Sequence, residues 1–298
     1  MFDVVLPTYN NLAELKRSIK ALEKQTFKEI KVFICVDGST DGTVEYLQNE
    51  KFDLDLKVLE HPDKKNNGRN LTRNLCIPFL TSEYLLLLDS DCVPKPDLIQ
   101  KHKELLEQED VISVGEIYYI NTKTNIWARY LQTRGKGKYK NREEIPSHYL
   151  NTQNVAFKTK HFLESGGQDL EMSKSYGGDD TELGYRLNKE FGLKVIFNKA
   201  AAAFSEMEKT LDKALLQMEE FGARNLKLMR KKHPELATVF RVDLFEGISL
   251  KQKIMRMILS NPVAAVIKSL MPLFIGEMKI LAVHYLVMSS ILKGYKSK

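Results

Sequence analysis

Short unbroken apolar runs alternate along this chain with stretches whose apolar residues return at helical spacing. Residues 2–7 read as a strand. Asn11 then caps an amphipathic helix to about Gln25, with Leu12, Leu15, Ile19 and Leu22 on one face. Residues 30–36 form a second strand, Asp41 to Gln48 a helix, and residues 56–59 a weaker strand. A helix from Asn67 to Phe79 leads into the strand 83–88, which ends at Asp89. This β-α order predicts an α/β fold: a Rossmann-like, mostly parallel sheet flanked by helices.

A helix at 97–109, opened by Pro94 and Pro96, follows, then a strand at 111–119. Residues 124–148 are irregular, with Arg134, Lys136, Lys138, Lys140 and Arg142 alternating. That pattern reads as a solvated basic loop or as a loop meeting a phosphate-bearing substrate. A strand at 150–158, a helix at 179–191, a strand at 194–197 and a long helix at 210–232 complete the pattern. The C-terminal tail differs. Its apolar runs are interrupted by Lys268, Pro272, Glu277 and Lys279, so none reaches the roughly 20 apolar residues a spanning helix needs. Apolar helices edged by Lys and Arg suit a membrane interface; a helical subdomain packed on the core or on a second subunit is the alternative. The expected division is 1–205 for an α/β domain and 206–298 for an amphipathic, basic, helical and membrane-associated region.

Charge sharpens that division. The 298 residues carry a net +6, but residues 249–298 hold eight Lys/Arg against one acidic residue, Glu277. The basicity belongs to the tail, which implies an anionic partner such as a membrane or nucleic acid. Apolar residues make up 43% and charged residues 28%, as in a folded globular protein. Three cysteines without a C-x-x-C pair argue against a disulfide framework or zinc site and for a reducing compartment. The chain opens directly on a strand, so no secretory signal is expected there.

Candidate chemistry centres on Asp89-Ser90-Asp91, at the end of the run Tyr84–Leu88. Residues two apart on a strand share a face, so both carboxylates would meet at the carboxyl end of the sheet, where such folds bind ligands. Paired carboxylates repel unless a cation lies between them, and hard oxygens suit Mg²⁺ or Mn²⁺ with diphosphate completing the shell. No G-x-G-x-x-G follows the first strand, against a dinucleotide site.

Four segments occur in order: Leu6-Pro7-Thr8-Tyr9-Asn10, Val36-Asp37-Gly38-Ser39-Thr40-Asp41-Gly42-Thr43, Asn67-Gly68-Arg69-Asn70-Leu71-Thr72-Arg73-Asn74, and Gly177-Gly178-Asp179-Asp180-Thr181-Glu182. With the D-x-D they resemble the family 2 glycosyltransferases of GT-A fold, over roughly residues 2–205. The resemblance implies that Pro7, Tyr9 and Asp37 line a nucleobase, with Arg69 or Arg73 near the base or diphosphate. Asn10, Gly68 and Ser90 belong to the same nucleotide-sugar set. It implies that Asp89 approaches ribose or metal, that Asp91 binds the metal, and that Asp180, beside Asp179, is the base that deprotonates an acceptor hydroxyl. Simple helix capping is the bland reading of Asp179 and Asp180.

Two departures stand out. The family usually has Glu where Asp179 stands. Many members carry a metal-binding His after the last strand, where this chain reads Ala203-Phe204-Ser205-Glu206-Met207. Glu206 is the possible replacement; diphosphate and water are the other. Gly166-Gly167-Gln168-Asp169 resembles the acceptor-side segment, and Gln153 and Asn154 are acceptor candidates. Trp127, the only tryptophan, would stack on a sugar or serve as a buried anchor.

The D-x-D run also fits haloacid-dehalogenase-type phosphatases, with Asp89 as nucleophile. That motif usually lies on a first strand, whereas three β-α units precede it here. A non-catalytic membrane scaffold is the third reading. The expected activity is inverting, metal-dependent transfer from a nucleotide-diphosphate sugar, UDP first. The expected acceptor is a glycan or polyprenyl-diphosphate-linked saccharide at the cytoplasmic face of the cell membrane. A homodimer is possible, and no nucleic acid is expected.

Overall fold

The computed structural model describes residues 1–133 and 139–297. Arg134, Lys136 and Lys138 of the alternating basic segment lie outside them. The elements run β1 (Phe2–Thr8), α1 (Leu12–Glu23), β2 (Ile30–Val36), α2 (Thr43–Asn49), β3 (Asp55–Glu60), α3 (Arg69–Asn74), β4 (Tyr84–Leu88), β5 (Cys92–Pro94) and α4 (Leu98–Leu106). Then come β6 (Ile112–Tyr119), α5 (Ile126–Thr133), β7 (Glu143–Ile145), β8 (Asn154–Lys158), α6 (Thr159–Glu164), α7 (Asp179–Phe191) and β9 (Val195–Ser205). The C-terminal helices are α8 (Leu211–Ala223), α9 (Asn225–Lys232), α10 (Pro234–Ala237), α11 (Val242–Glu246), α12 (Leu250–Ile258), α13 (Asn261–Leu270) and α14 (Gly276–Lys296).

Among the described residues, nine strands form one sheet in the order β3-β2-β1-β4-β8-β6-β9-β5, with β7 on β9. The first four are mutually parallel, as the β-α alternation predicts. Beyond β4 the sheet turns mixed: β8 runs antiparallel to β4, and β5 and β7 run antiparallel to β9.

The unbroken apolar runs arise because the sheet is covered on both faces. Val4 and Leu6 of β1, with Leu86 and Leu88 of β4, pack with Leu15, Ile19 and Leu22 of α1. Val5, Leu85 and Leu87 point the other way, to Phe157 of β8, Phe162 of α6 and Leu183 and Leu187 of α7. All three cysteines are buried and free.

By compactness the chain divides into two units. One is Met1–Ile120, Gly135–Ser173 and Asp179–Glu206; the other is Asn121–Arg134, Lys174–Gly178 and Met207–Lys298. In the second, α8 and α14 cross closely: a Cβ on Gly294 would come within 1.8 Å of the Glu219 carbonyl oxygen.

Several boundaries differ from the hydrophobic pattern. The strand placed at 194–197 continues to Ser205, because a register shift at Gly115/Glu116 of β6 absorbs the extra residues of β9. Its alanines carry little apolar signal. The helix placed at 210–232 breaks at Arg224, whose φ of −125° and ψ of −78° are non-helical. The helix from Asn67 ends at Asn74, ahead of a 3₁₀ turn containing Pro78.

Candidate active site

The carboxyl ends of β1, β2 and β4 supply the candidate residues. After β1, Asn10 adopts a left-handed φ of 48°. Its amide oxygen accepts from the Thr40 N–H at 2.7 Å, and its own N–H donates to Ser39 Oγ at 3.1 Å. Asn10 therefore ties the β1 loop to the β2 loop. Pro7 is buried at the strand end, and Tyr9 is exposed.

Asp37 is only 4% exposed. Its Oδ1 accepts from the Asn67 N–H at 2.6 Å and its Oδ2 from the Gly68 N–H at 3.1 Å. His61 Nε2 lies 3.4 Å from Oδ1 and bonds Thr72 Oγ1 at 2.9 Å. Asp37 thus anchors the 61–68 loop onto the end of β2. Gly38 makes the fit possible: its φ is +71°, and a Cβ there would stand 2.5 Å from the Lys65 carbonyl carbon. A pocket of about 180 Å³ opens beside it, lined by Val36, Gly38, Ser39, Glu60 and Lys64 among others.

Asp89-Ser90-Asp91 is not on the strand. β4 ends at Leu88, and the motif forms a turn closed by the Cys92 N–H donating to the Asp89 carbonyl at 3.0 Å. Ser90 is buried, and its Oγ accepts from Asn11 Nδ2 at 2.8 Å. Asp91 is pushed up to about 6, first by burial and then by the charge of Asp89.

Arg73, on α3, is the central cation. It is 1% exposed, and its Nη2 donates to Asp89 Oδ1 at 2.6 Å while Nη1 lies 3.9 Å from Asp179 Oδ2. Nε and Nη1 have no hydrogen-bond partner. Thr152 Oγ1 donates to Asp180 Oδ1 at 2.6 Å. The Asp180 carboxyl is raised to about 6 by burial and by Asp179, against the opposing pull of Arg73, Thr152 and Arg69. Arg69 itself is exposed at the start of α3, whose N-terminus is Gly68 at φ 89°.

The Gly166–Asp169 segment is stitched to α3. Asn74 exchanges two hydrogen bonds with the Gln168 backbone, both at 2.9 Å, and Asn70 Nδ2 donates to the Asp169 carbonyl. From α7, Arg186 donates to the Ser165 and Gly167 carbonyls and pairs with Glu182.

Two acceptor candidates are buried. Asn154 is 1% exposed; its Nδ2 donates to the Ala201 and Glu116 carbonyls, and its Oδ1 meets His102 Nε2 at 2.9 Å. Its amide is held inside the core by these partners. Trp127, in the C-terminal unit, is buried and stacked on Tyr130 at 5.2 Å. Gln153 is partly buried, its Oε1 accepting from Tyr119 Oη and Asn151 Nδ2, both at 3.0 Å. His61, Thr152, Asn70 and Asn74 are additions. The two asparagines lie inside a singled-out segment; His61 and Thr152 carry no sequence signal, because only folding gives them their partners.

The sequence profile of Glycosyl transferase family 2 matches residues 3–166. The chain belongs to this family. Its relatives include the chondroitin synthase of Escherichia coli, 27% identical over 223 residues, covering 63% of this chain and 32% of that protein. The hyaluronan synthase of Pasteurella multocida is 26% identical over 223 residues, covering 62% and 22%. The chain thus spans about a third or less of these relatives. The family's GT-A fold is confirmed by solved structures. The mannosyltransferase PcManGT of Pyrobaculum calidifontis, in complex with GDP-Man and Mn²⁺, superposes with TM-score 0.60 at 14% identity, covering 100% and 88% of the chains. S. aureus TarS 1–349 in complex with UDP-GlcNAc gives 0.58 at 16% identity, covering 99% and 89%.

Proposed function

We propose that this glycosyltransferase moves a sugar, with inversion, from a nucleoside-diphosphate sugar to a hydroxyl of a glycan or lipid-linked saccharide. The observation that carries the reading is Arg73, buried between the D-x-D carboxylate Asp89 and the acidic pair at the start of α7. A buried arginine with two nitrogens that make no hydrogen bond is suited to a diphosphate oxygen. The loops around Asp37, Gly38 and Gly68, with Tyr9 and Arg69 beside them, would receive the nucleoside.

Asp180 would accept the proton of the attacking hydroxyl. Burial beside Asp179 raises its basicity, and Thr152 fixes its orientation. Attack from the side opposite the leaving diphosphate inverts the anomeric centre, and Arg73 offsets charge developing on that diphosphate.

The residues suit a divalent cation. Asp91 is a partly buried hard-oxygen donor beside Asp89, a pair whose repulsion a cation would relieve. Among the described residues no cluster of three or more His, Cys, Asp or Glu is arranged to hold a metal. Asp89 and Asp91 would therefore hold Mn²⁺ or Mg²⁺ with diphosphate and water completing the shell. The cation would supply Lewis-acid stabilisation of the leaving group. Glu206 is the possible third ligand: the ladder pairing Cys92 with Ser205 leads it towards Asp91, although its carboxylate lies 3.9 Å from Arg17 Nη1.

The synthases among its relatives suggest polysaccharide or glycoconjugate assembly. UDP-sugars are the first donors to test and GDP-sugars the second, after the ligands of the two solved neighbours. The test is nucleoside-diphosphate release from a donor panel, with Mn²⁺ or EDTA and with or without membrane lipid extract. Release from one donor, raised by lipid and abolished by EDTA, supports the reading. Phosphate release from a simple phosphomonoester instead would favour phosphatase chemistry.

A further inference from the structure

α12 and α13 are inside out. A surface helix on a soluble protein turns its apolar face to the core and its polar face to water. At 100° per residue, α12 gathers Leu250, Ile254, Met257 and Ile258 on one arc, with Gln252 and Arg256 opposite. The polar side is the one that holds the helix to its own unit. Arg256 Nη1 donates to the Leu244 carbonyl at 3.0 Å and the Gly247 carbonyl at 2.6 Å, and Gln252 Nε2 to the Asp243 carbonyl at 3.0 Å. At the other end, Tyr285 Oη and Ser289 Oγ of α14 donate to the Ile258 and Leu259 carbonyls. The apolar arc is left outside, Leu250 at 74% and Met257 at 65% exposure.

α13 repeats the arrangement. Asn261, Ala264, Ala265 and Lys268 line a groove of about 400 Å³ against α8 and α14, and Lys268 pairs with Asp212 of α8 at 2.7 Å. Val263, Val266 and Leu270 face outward and are exposed. Neither helix has a buried residue. Leu273, Ile275, Met278 and Leu281 are also exposed after them.

So much large apolar surface marks an interaction site. Its charge selects the occupant. Lys251 and Lys253 flank the apolar arc of α12, and residues 248–281 hold five Lys/Arg against the single acidic Glu277. In a symmetric contact between two copies, this basic patch would face itself. A bilayer with anionic headgroups offers an apolar interior below an oppositely charged plane, and lysines at the edge of an apolar face reach that plane. Among the described residues no single helix is long and apolar enough to cross a membrane; α12 and the stretch from Asn261 to Leu273 reach that length and composition only together, across a 44° bend.

We infer that the outward faces of α12 and α13 bind an anionic phospholipid surface, lying in its interface with Leu250, Ile254, Met257 and Val266 as the inserted side chains. The inference deepens the membrane-acceptor part of the proposed function but does not depend on sugar transfer. Binding is read without donor, so the two stand or fall separately.

The test is co-sedimentation of the full chain with vesicles of phosphatidylcholine alone or mixed with phosphatidylglycerol. The expected result is pelleting with the anionic vesicles, weakened by about 0.5 M NaCl. The Ile254→Glu/Met257→Glu double variant should lose affinity by on the order of tenfold or more, and Val266→Glu should lose affinity less strongly. Both variants substitute exposed positions and should keep the wild-type melting temperature. Equal pelleting by wild type and the double variant, or none with either vesicle, overturns the inference. So does a wild-type dimer in sedimentation velocity that the double variant converts to monomer, which would assign the face to a second copy.

Discussion

Arg73 Nη2 lies 2.6 Å from Asp89 Oδ1, and the arginine is buried. It comes from α3 and Asp89 from the turn after β4, so this one bond joins two of the segments that define the site. Removing one partner of such a pair strands a charge away from water. Arg73→Met should cost about 3 kcal/mol of stability and reduce donor turnover far more than Arg73→Lys, which keeps the charge. Chemical denaturation and nucleoside-diphosphate release measure the two effects.

The acid limb of the rate should report Asp180. Its carboxyl is raised to about 6, so turnover should rise with pH through that value as the base ionises. Thr152 donates to the ionised oxygen. Thr152→Val should therefore move the limb upward by about one pH unit. A pH profile of kcat/KM for both proteins checks this.

The same shift bears on folding with the opposite trend. A carboxyl whose pKa is higher folded than unfolded binds its proton more tightly in the native state. Its contribution to stability is greatest below the ordinary Asp value of 3.8 and falls as pH rises to about 6. Asp180→Asn should remove that decline, so its melting temperature should gain on the wild type between those values. Melting curves across the window measure it.

Gly38→Ala should damage the proposed donor site directly. The left-handed φ and the Lys65 backbone leave no room for a Cβ, so the loop anchored on Asp37 must shift. A loss of about 1–3 kcal/mol in stability is expected, together with a rise in the KM for the nucleotide-sugar.

Much of this architecture was legible in the chain. The runs at Val4–Leu6 and Tyr84–Leu88 gave the parallel core because strands buried on both faces need no alternation. The acidic and glycine-rich segments at their ends gave the family. What the sequence concealed depended on distant partners. Asn154 is an acceptor candidate beside Gln153 in the sequence, and folding gives its amide His102 and two carbonyls as partners. The run before Asp89 predicts strand geometry for Asp89–Asp91, whereas a turn places it. The tail's apolar runs suit helices in a membrane interface or a helical subdomain packed on the core or on a second subunit. Which side of α12 holds the protein is fixed only by Arg256 and Gln252 finding carbonyls in 243–247.

The most direct measurement is nucleoside-diphosphate release by wild type and Asp180→Asn, with Mn²⁺, across UDP-, GDP- and dTDP-sugars and with membrane lipid extract as acceptor source. Release from one donor by the wild type, reduced about 10²–10⁴-fold in the variant, is the predicted result. Equal release by both proteins would contradict the assignment of Asp180 as the base.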